Sequence, residues 1–241
     1  MRIDEYIKAE GLAASRSRAK MLIDEGAVCV NGKPIAKASY EVREGDAVTV
    51  CDLPYVSRGG LKLEAALSAF SLSPAGCVAL DVGASSGGFT DCLLQKGATF
   101  VYAVDSGTGQ LAPSLAADPR VLSLENYNAR YMRSEDFEKT PTFAVMDVSF
   151  ISQTLILPAL SRVLPTGATL VSLIKPQFEV GRANIGRGGI VRDEKAREAA
   201  VARVCDAARL VGLLSHGMIT SPIRGGDGNV EFLAYFRKAE E

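Results

Sequence analysis

The sequence is poor in residues that bind metals. Its 241 residues include one histidine and five cysteines, and the cysteines are scattered without a C-x-x-C pair. Zinc sites are built from closely spaced cysteines and histidines, so this scarcity predicts that the chain binds no metal. Isolated cysteines at core-like positions are also typical of a reducing compartment, which favours a cytoplasmic location.

Long hydrophobic runs and an excess of either charge are also missing. No apolar stretch approaches the roughly 20 residues that a membrane-spanning helix needs. The opening residues, MRIDEYIKAEG, are interrupted by charges and do not resemble a secretory leader. We therefore expect no interaction with membranes. The net charge is −1, so composition alone does not predict a nucleic-acid partner, and any basic surface has to be local.

The chain has two regions of different character. Residues 1–52 contain two short helical stretches and then VCVNGKPI, in which Asn31-Gly32 is a strong hairpin signal. This pattern predicts a small α+β module, joined by a linker at 53–58 to a larger domain at 59–241. In the larger domain, apolar strands alternate with helical stretches, which predicts an α/β fold with a mostly parallel sheet. The last two strands are separated only by the turn-rich PIRGGDG and are predicted to form an antiparallel hairpin that closes the sheet.

A glycine-rich turn follows the first strand of the larger domain. Residues 80–98 read LDVGASSGGFTDCLLQKGA, so the strand ends near Asp81 and a helix begins after Gly87. The glycines do not match the dinucleotide pattern G-x-G-x-x-G, which disfavours an oxidoreductase. Asp105 ends the next strand at the same edge of the sheet, where open α/β sheets bind their ligands. A tight turn without a ligand is the alternative, but the two features together favour a bound cofactor.

Four further charged residues lie where a hydrophobic core would not place them. Lys62 interrupts a helix, and Glu231 lies near the start of the last strand. Asp147 and Lys175 each end an apolar strand, at the same edge as the glycine turn, so they can converge. Each position alone has an ordinary explanation, such as a charge that reaches water at a strand end.

These residues and their surroundings resemble the TlyA family. The D-x-G-x-x-x-G-G turn is similar to the first motif of S-adenosylmethionine-dependent methyltransferases. The four charged residues match, in order, the K-D-K-E tetrad of FtsJ-like ribose 2′-O-methyltransferases. The narrower resemblance is carried by SRGGLKLEAAL, DVGASSGGFTDCLLQKGA, MDVSFIS, LIKPQFE, GRGGIVRD and GNVEFLAYF. One stretch departs from it, because SGTGQL follows Asp105 where the family is usually closer to VGYGQL.

The resemblance implies a Rossmann-like class I methyltransferase domain preceded by a small RNA-binding module. It implies S-adenosylmethionine as the cofactor and cytidine ribose in ribosomal RNA as the substrate. Since the chain is short at both ends, it resembles family members that are associated with the large ribosomal subunit. The sequence does not determine the oligomeric state, and a monomer is the favoured expectation. The residues implied in cofactor binding are Asp81, Gly83, Ser85, Gly87, Gly88, Phe89, Thr90, Asp105, Asn128 and Asp147.

The tetrad suits methyl transfer to a hydroxyl group. A ribose hydroxyl is a poor nucleophile and must lose its proton as it attacks the sulfonium methyl. A free lysine is almost fully protonated at neutral pH, but a second cation and partial burial make it a usable base. We assign Lys175 as the base and Lys62 as the group that stabilises the developing oxyanion. Asp147 would orient Lys175 and the methyl donor, and Glu231 would hold the lysines in place.

A basic stretch in the small module reads GLAASRSRAKMLI, residues 11–23, and Ser15 is suited to cap the helix that carries it. A solvated helix face is the commoner meaning of three such charges. The module also resembles the S-four-type RNA-binding domain, and its neighbour resembles an RNA methyltransferase, which favours contact with RNA. The predicted RNA-binding residues are Arg16, Arg18, Lys20, Arg58, Arg182 and Arg187.

Two other functions remain open. TlyA-like proteins are also named haemolysins, which would mean a protein that perforates membranes, but the sequence has no long cationic amphipathic helix. An RNA-binding protein with an inert methyltransferase-like domain is the second alternative, and the intact motifs argue against it. Cell lysis that survives Lys175→Ala would support the first alternative, and failure to bind the cofactor would support the second.

Overall fold

The structure, a computed structural model, describes residues 1–13, 15–24, 26–35, 37–50, 54–225 and 228–240. The chain divides into two compact units, Met1–Arg58 and Gly59–Glu241. The predicted linker starts at Leu53, which lies outside the described residues, and residues 54–58 belong to the first unit. Residues 226 and 227 of the predicted PIRGGDG turn also lie outside the described part.

The first unit combines two helices with a small antiparallel sheet. Its elements are α1 (Ile3–Ala9), α2 (Arg16–Asp24), β1 (Val28–Val30), β2 (Lys33–Pro34) and β3 (Val48–Val50), with β1 between β2 and β3. Asn31 and Gly32 have φ angles of 52° and 74°, so the predicted hairpin turn is confirmed. The predicted cap of α2 is also confirmed, because the Arg18 backbone N–H donates to Ser15 Oγ at 3.1 Å. Apolar side chains of both helices and β1 form a separate small core.

The second unit is built on a seven-stranded sheet. Its strands are β4 (Val78–Val82), β5 (Phe100–Val104), β6 (Val121–Leu124), β7 (Phe143–Met146), β8 (Thr169–Ile174), β9 (Leu213–Thr220) and β10 (Phe232–Lys238). They lie in the order β6-β5-β4-β7-β8-β10-β9. The pairings from β6 to β8 are parallel, and β10 is antiparallel to both of its neighbours. The predicted α/β fold, with a mostly parallel sheet and an antiparallel hairpin at the end of the chain, is confirmed.

Helices cover this sheet. They are α3 (Gly59–Ala69), α4 (Gly88–Gln95), α5 (Pro113–Ala116), α6 (Leu157–Val163), α7 (Pro176–Glu179) and α8 (Glu194–Leu210). All four residues of β7 are buried, as expected of a central strand that is covered on both faces. The main core joins alternate residues of the parallel strands to α6 and α8. The carboxyl ends of β4, β5, β7 and β8 therefore open at one edge, where Asp105, Asp147 and Lys175 directly follow their strands.

Candidate active site

The glycine turn between β4 and α4 brings the backbone close to the end of β7. Gly83 has a φ of +87°, and a Cβ atom at this position would lie 2.3 Å from the backbone oxygen of Asp147. Any other residue would be strained and would also push the two strand ends apart. Gly87 has a φ of +94°, but its missing Cβ would meet Leu115 Cδ1 at 2.3 Å. Gly83 thus allows the ends of β4 and β7 to approach each other, and Gly87 allows Leu115 of α5 to pack against the turn.

Asp105 holds the glycine turn from the neighbouring strand. Its Oδ2 atom accepts the Ser85 N–H at 2.8 Å, and its Oδ1 atom accepts the Gly107 N–H at 2.7 Å. Each carboxylate oxygen has a further lone pair, which leaves it able to accept a ligand hydroxyl. The carboxylate therefore shapes the turn and remains available to a ligand.

A cleft of about 430 Å³ opens beside this turn. Its position is the one where open α/β sheets bind ligands, because it lies past the carboxyl ends of β4, β5 and β7, where the strand order reverses. Five predicted cofactor residues line it, namely Gly83, Ser85, Asp105, Asn128 and Asp147. The other predicted residues, Asp81, Gly87, Gly88, Phe89 and Thr90, do not line it.

The predicted residues that do not line the cleft are mostly in the interior: Asp81 is buried in β4, and Gly88, Phe89 and Thr90 are buried in α4. The Thr90 hydroxyl donates to Asp81 Oδ2 at 2.7 Å and so ties the start of α4 to the end of β4. Phe89 is 3% exposed and belongs to the core. Their placement supports the shape of the turn, and their part in cofactor binding stays a prediction.

The carboxylates of Asp147 and Asp105 lie close enough to the buried carboxylate of Asp81 to repel it. Burial first, and then the negative charges of Asp147 and Asp105, raise the pKa of Asp81 to about 7, although hydrogen bonds from Thr90 act in the opposite direction. Among the described residues, no donor reaches the buried Oδ1 atom of Asp81. A positively charged ligand would relieve this repulsion. S-adenosylmethionine carries a sulfonium and an ammonium group, so the residues present fit this cofactor.

The first lysine–carboxylate pair of the tetrad borders the cleft. Lys175 follows β8, and its Nζ atom lies 2.5 Å from Asp147 Oδ1 and donates to Ser149 Oγ at 2.9 Å. Both side chains are mostly buried, with exposures of 13% for Lys175 and 22% for Asp147. A short ion pair with little solvent contact holds Lys175 in a fixed position.

The second pair joins α3 to the start of β10. Lys62 Nζ lies 2.6 Å from Glu231 Oε2, and the side chains are 11% and 2% exposed. Phe232 pairs with Ile174 in the antiparallel ladder, so Glu231 and Lys175 are the next neighbours in register. Opposite residues of an antiparallel pair point to the same face. The structure thus arranges the four predicted residues as two lysine–carboxylate ion pairs, and their meeting in one catalytic tetrad stays a prediction.

An exposed aromatic residue stands at the mouth of the cleft. Phe150 is 91% exposed and has a φ of +64°, a backbone conformation that residues other than glycine rarely adopt. Its ring centroid lies 5.1 Å from that of Phe178 on α7. Strained backbone positions cluster at active sites and ligand clamps, so Phe150 is a candidate for a role at this cleft. The sequence contains Phe150 within MDVSFIS, but no local pattern signals its conformation.

Two other cleft residues were missed by the sequence reading. Tyr127 lines the cleft, donates its hydroxyl to Asp136 and donates its backbone N–H to the Asp105 oxygen at 2.9 Å. Gln110 also lines the cleft, in the stretch SGTGQL that departs from the family pattern. These residues reach the cleft through loops, for which a single sequence carries little signal.

The predicted RNA-binding residues differ in their surroundings. Arg18 and Lys20 are exposed on α2, and Arg182 and Arg187 are exposed after α7. Arg16 instead donates to the buried carboxylate of Asp4 at 2.8 Å and lies 3.2 Å from Glu5. Burial disfavours the charged form of Asp4, but Arg16 and Arg2 outweigh it and lower its pKa. The Arg58 side chain packs over Gly26, so Arg16 and Arg58 both have structural contacts within the first unit.

The described residues lack the features of two other kinds of site. They hold no group of three histidine, cysteine or acidic side chains that could bind a metal ion. Within the same ranges, no helix is long and apolar enough to cross a membrane.

The second unit has a Rossmann-like, doubly wound fold, with a cleft at the point where the strand order reverses. The chain belongs to the FtsJ-like methyltransferase family, whose model matches residues 55–238, and residues 1–48 match the S4 domain. The resemblance that the sequence motifs indicate is therefore confirmed.

Similar proteins extend over almost the whole chain. The 16S/23S rRNA (cytidine-2′-O)-methyltransferase TlyA of Mycobacterium tuberculosis is 44% identical, and the match covers 98% of this chain and 89% of that protein. The 23S rRNA (cytidine-2′-O)-methyltransferase TlyA of Campylobacter jejuni is 33% identical over 99% of this chain and all of that protein. A solved structure from Streptococcus thermophilus, described as a candidate hemolysin, is 46% identical with a TM-score of 0.80, and the match covers 100% of this chain and 89% of that one.

Proposed function

We propose that this chain transfers a methyl group from S-adenosylmethionine to the 2′-hydroxyl of a cytidine in ribosomal RNA, chiefly of the large subunit. The observation that carries this proposal is the Lys175–Asp147 ion pair, whose carboxylate lines the cleft together with Asp105. The second predicted pair, Lys62–Glu231, is formed at the start of β10, the strand that pairs with β8. The two TlyA proteins above are both named for cytidine 2′-O-methylation of 23S rRNA. Large-subunit RNA is the substrate that their names share.

In this mechanism Lys175 first releases its own proton to solvent, and the neutral amine then accepts the proton of the ribose hydroxyl as the oxygen attacks. Asp147, 2.5 Å away, stabilises the ammonium group that results. Lys62 keeps a positive charge near the developing oxyanion, and Glu231 fixes its position. The bound cofactor supplies the electrophilic methyl group. The exposed ring of Phe150 is suited to stack on a base and so to hold the ribose in line.

The direct test maps ribose methylation in ribosomal RNA from cells with and without the gene. We expect one or more cytidine 2′-O-methyl marks on large-subunit RNA to disappear with the gene and to return when purified protein and cofactor are added. Equal modification of purified small and large subunits would overturn the preference for the large subunit. Red-cell lysis by purified protein, undiminished in Lys175→Ala, would favour a membrane-perforating function instead.

Replacement of Asp105 by alanine is expected to weaken cofactor binding by about 10- to 100-fold, since hydrogen bonds to a charged group contribute roughly 1.5–3 kcal/mol. The variant loses the carboxylate that positions Ser85 and faces the cleft. Titration calorimetry with S-adenosylmethionine measures the change. Asp206→Ala, at an exposed position of α8, is the matched control. Equal affinities of the two folded variants would remove Asp105 from the cofactor site.

The basic residues of α2 are expected to separate into two kinds. Neutralising Arg18 and Lys20 together should weaken RNA binding and reduce the salt dependence of the binding constant by about two in slope, because roughly one counterion is released per phosphate contact. Cofactor affinity should not change. Arg16→Gln should also lower the stability of the first unit, because it removes a partner of the buried Asp4. Filter binding at several salt concentrations tests the first expectation, and normal RNA binding by the double variant would contradict it. Urea unfolding of Arg16→Gln tests the second expectation, and wild-type stability would contradict it.

A further inference from the structure

A buried acid outside the tetrad lies one helical turn beyond Lys175. Glu179 is the last residue of α7 and is 2% exposed. Its carboxylate accepts the Ser152 hydroxyl at 2.6 Å and the Gln153 backbone N–H at 2.8 Å, and the Arg203 guanidinium lies 3.8 Å from it. Burial raises the pKa of Glu179, against the lowering effect of these partners. Holding an acid here is costly, so the contacts that it makes need an explanation.

Gln153 extends this contact to β8. Its side chain is 2% exposed, donates to the Leu173 oxygen at 2.7 Å and accepts the Ser172 hydroxyl at 2.7 Å. The segment after β7 is thereby bonded to β8 and also to the short helix that follows β8. These are the segments that carry Asp147 and Lys175.

The loop between Asp147 and Ser152 needs such an anchor. Asp147 is fixed at the start, where its N–H donates to the Val82 oxygen at 2.9 Å. Ser149 accepts the Lys175 ammonium, and Phe150 has a strained backbone. Strained conformations persist only where the surrounding contacts hold them. Glu179 supplies two hydrogen bonds at the far end of this loop.

We propose that Glu179 is a positioning residue for methyl transfer. It joins the loop that follows Asp147 to the short helix that follows Lys175, and so fixes the distance between Lys175 and Asp147. The proposal rests on the function proposed above and adds a residue that touches neither cofactor nor RNA in the mechanism. Its effect passes through Ser152 and Gln153. Errors in placement of about 1 Å are enough to reduce a rate by about 100-fold.

The kinetic test compares three variants with the wild type on large-subunit RNA. Glu179→Ala should lower kcat by about 10- to 100-fold, with cofactor affinity and the KM for RNA within about twofold of the wild type. Glu179→Gln should recover most of kcat, because its oxygen still accepts the Gln153 N–H and the Ser152 hydroxyl can turn to accept. Glu198→Gln, at an exposed position on α8, is the control. A folded Glu179→Ala protein with wild-type kcat would overturn the proposal. If that variant does not fold, Ser152→Ala, which removes one of the two donors, takes its place with the same expected direction.

A second measurement needs no methyl transfer. Trace acetylation followed by mass spectrometry gives the reactivity of Lys175 relative to Lys96, whose side chain is 40% exposed. We expect the relative reactivity of Lys175 to rise severalfold in Glu179→Ala and to stay unchanged in Glu198→Gln. Unchanged reactivity of Lys175 would overturn the positioning role. If the wild type fails to methylate ribosomal RNA, the proposed function is wrong, and this measurement still decides whether Glu179 fixes Lys175.

Discussion

Lys175→Ala is expected to reduce methyl transfer by about 10²- to 10⁴-fold, the usual contribution of a positioned general base. Lys175 is the residue that lies against Asp147 and Ser149 at the edge of the cleft. Cofactor affinity should stay near that of the wild type, because the turn and Asp105 are untouched. The Asp147 oxygen that faces Lys175 is buried, so loss of its partner is also expected to lower the stability of the protein. The rates are therefore compared at a temperature at which both proteins are folded.

Single-turnover methylation with saturating cofactor measures this effect at the chemical step. Lys195→Ala, at an exposed position in the first turn of α8, is the matched control and should keep full activity. If the Lys175→Ala protein keeps more than about a tenth of the wild-type rate, the reduction in rate is smaller than removal of a general base should cause. Lys175 would then orient the substrate without taking its proton.

The second large effect is expected in the stability of the protein, in the variant Asp81→Asn. Burial and two neighbouring carboxylates raise the pKa of Asp81 to about 7, from the ordinary aspartate value of 3.8. The folded state therefore keeps a proton that the unfolded state releases, and the free energy of unfolding of the wild type falls as pH rises from about 4 to about 7. Since the pKa of Asp81 is higher by roughly three pH units in the folded state, the free energy of unfolding falls by about 4 kcal/mol over this pH range.

The asparagine amide cannot ionise, and its oxygen still accepts the Thr90 hydroxyl. The variant should thus lose this part of the pH dependence and be more stable than the wild type at pH 8. Urea unfolding of the two proteins at pH 5, 6, 7 and 8 measures the difference. Parallel stability curves would mean that Asp81 is already ionised in the folded protein at pH 5.

The residues that could be predicted from the sequence are those that a strand or a local motif places. Apolar runs fixed the strands, and each of Asp147 and Lys175 follows its run directly, so both were expected at one edge. Asn31-Gly32 carries its turn geometry locally. Glu231 and Lys62 are 169 positions apart, and only the resemblance to a known tetrad placed them together.

The remaining features depend on contacts between distant segments, which no local pattern encodes. Residues far away in the sequence determine what each glycine of the turn faces. Gly83 faces the end of β7, and Gly87 faces Leu115. Arg16 reads as a basic surface residue until α1 brings Asp4 beside it. The contact of Glu179 with Ser152 likewise requires two loops to be placed first.

The position of β10 has a consequence for protein synthesis. This strand inserts between β8 and the edge strand β9, and the residue before it completes the pair with Lys62. A nascent chain whose β10 is still inside the ribosomal exit tunnel has the cleft residues outside but lacks Glu231. Lys62 is then without its carboxylate partner, and β9 has no strand through which to join the sheet. Activity should therefore arise late in translation, and fragments that stop before β10 should be inert.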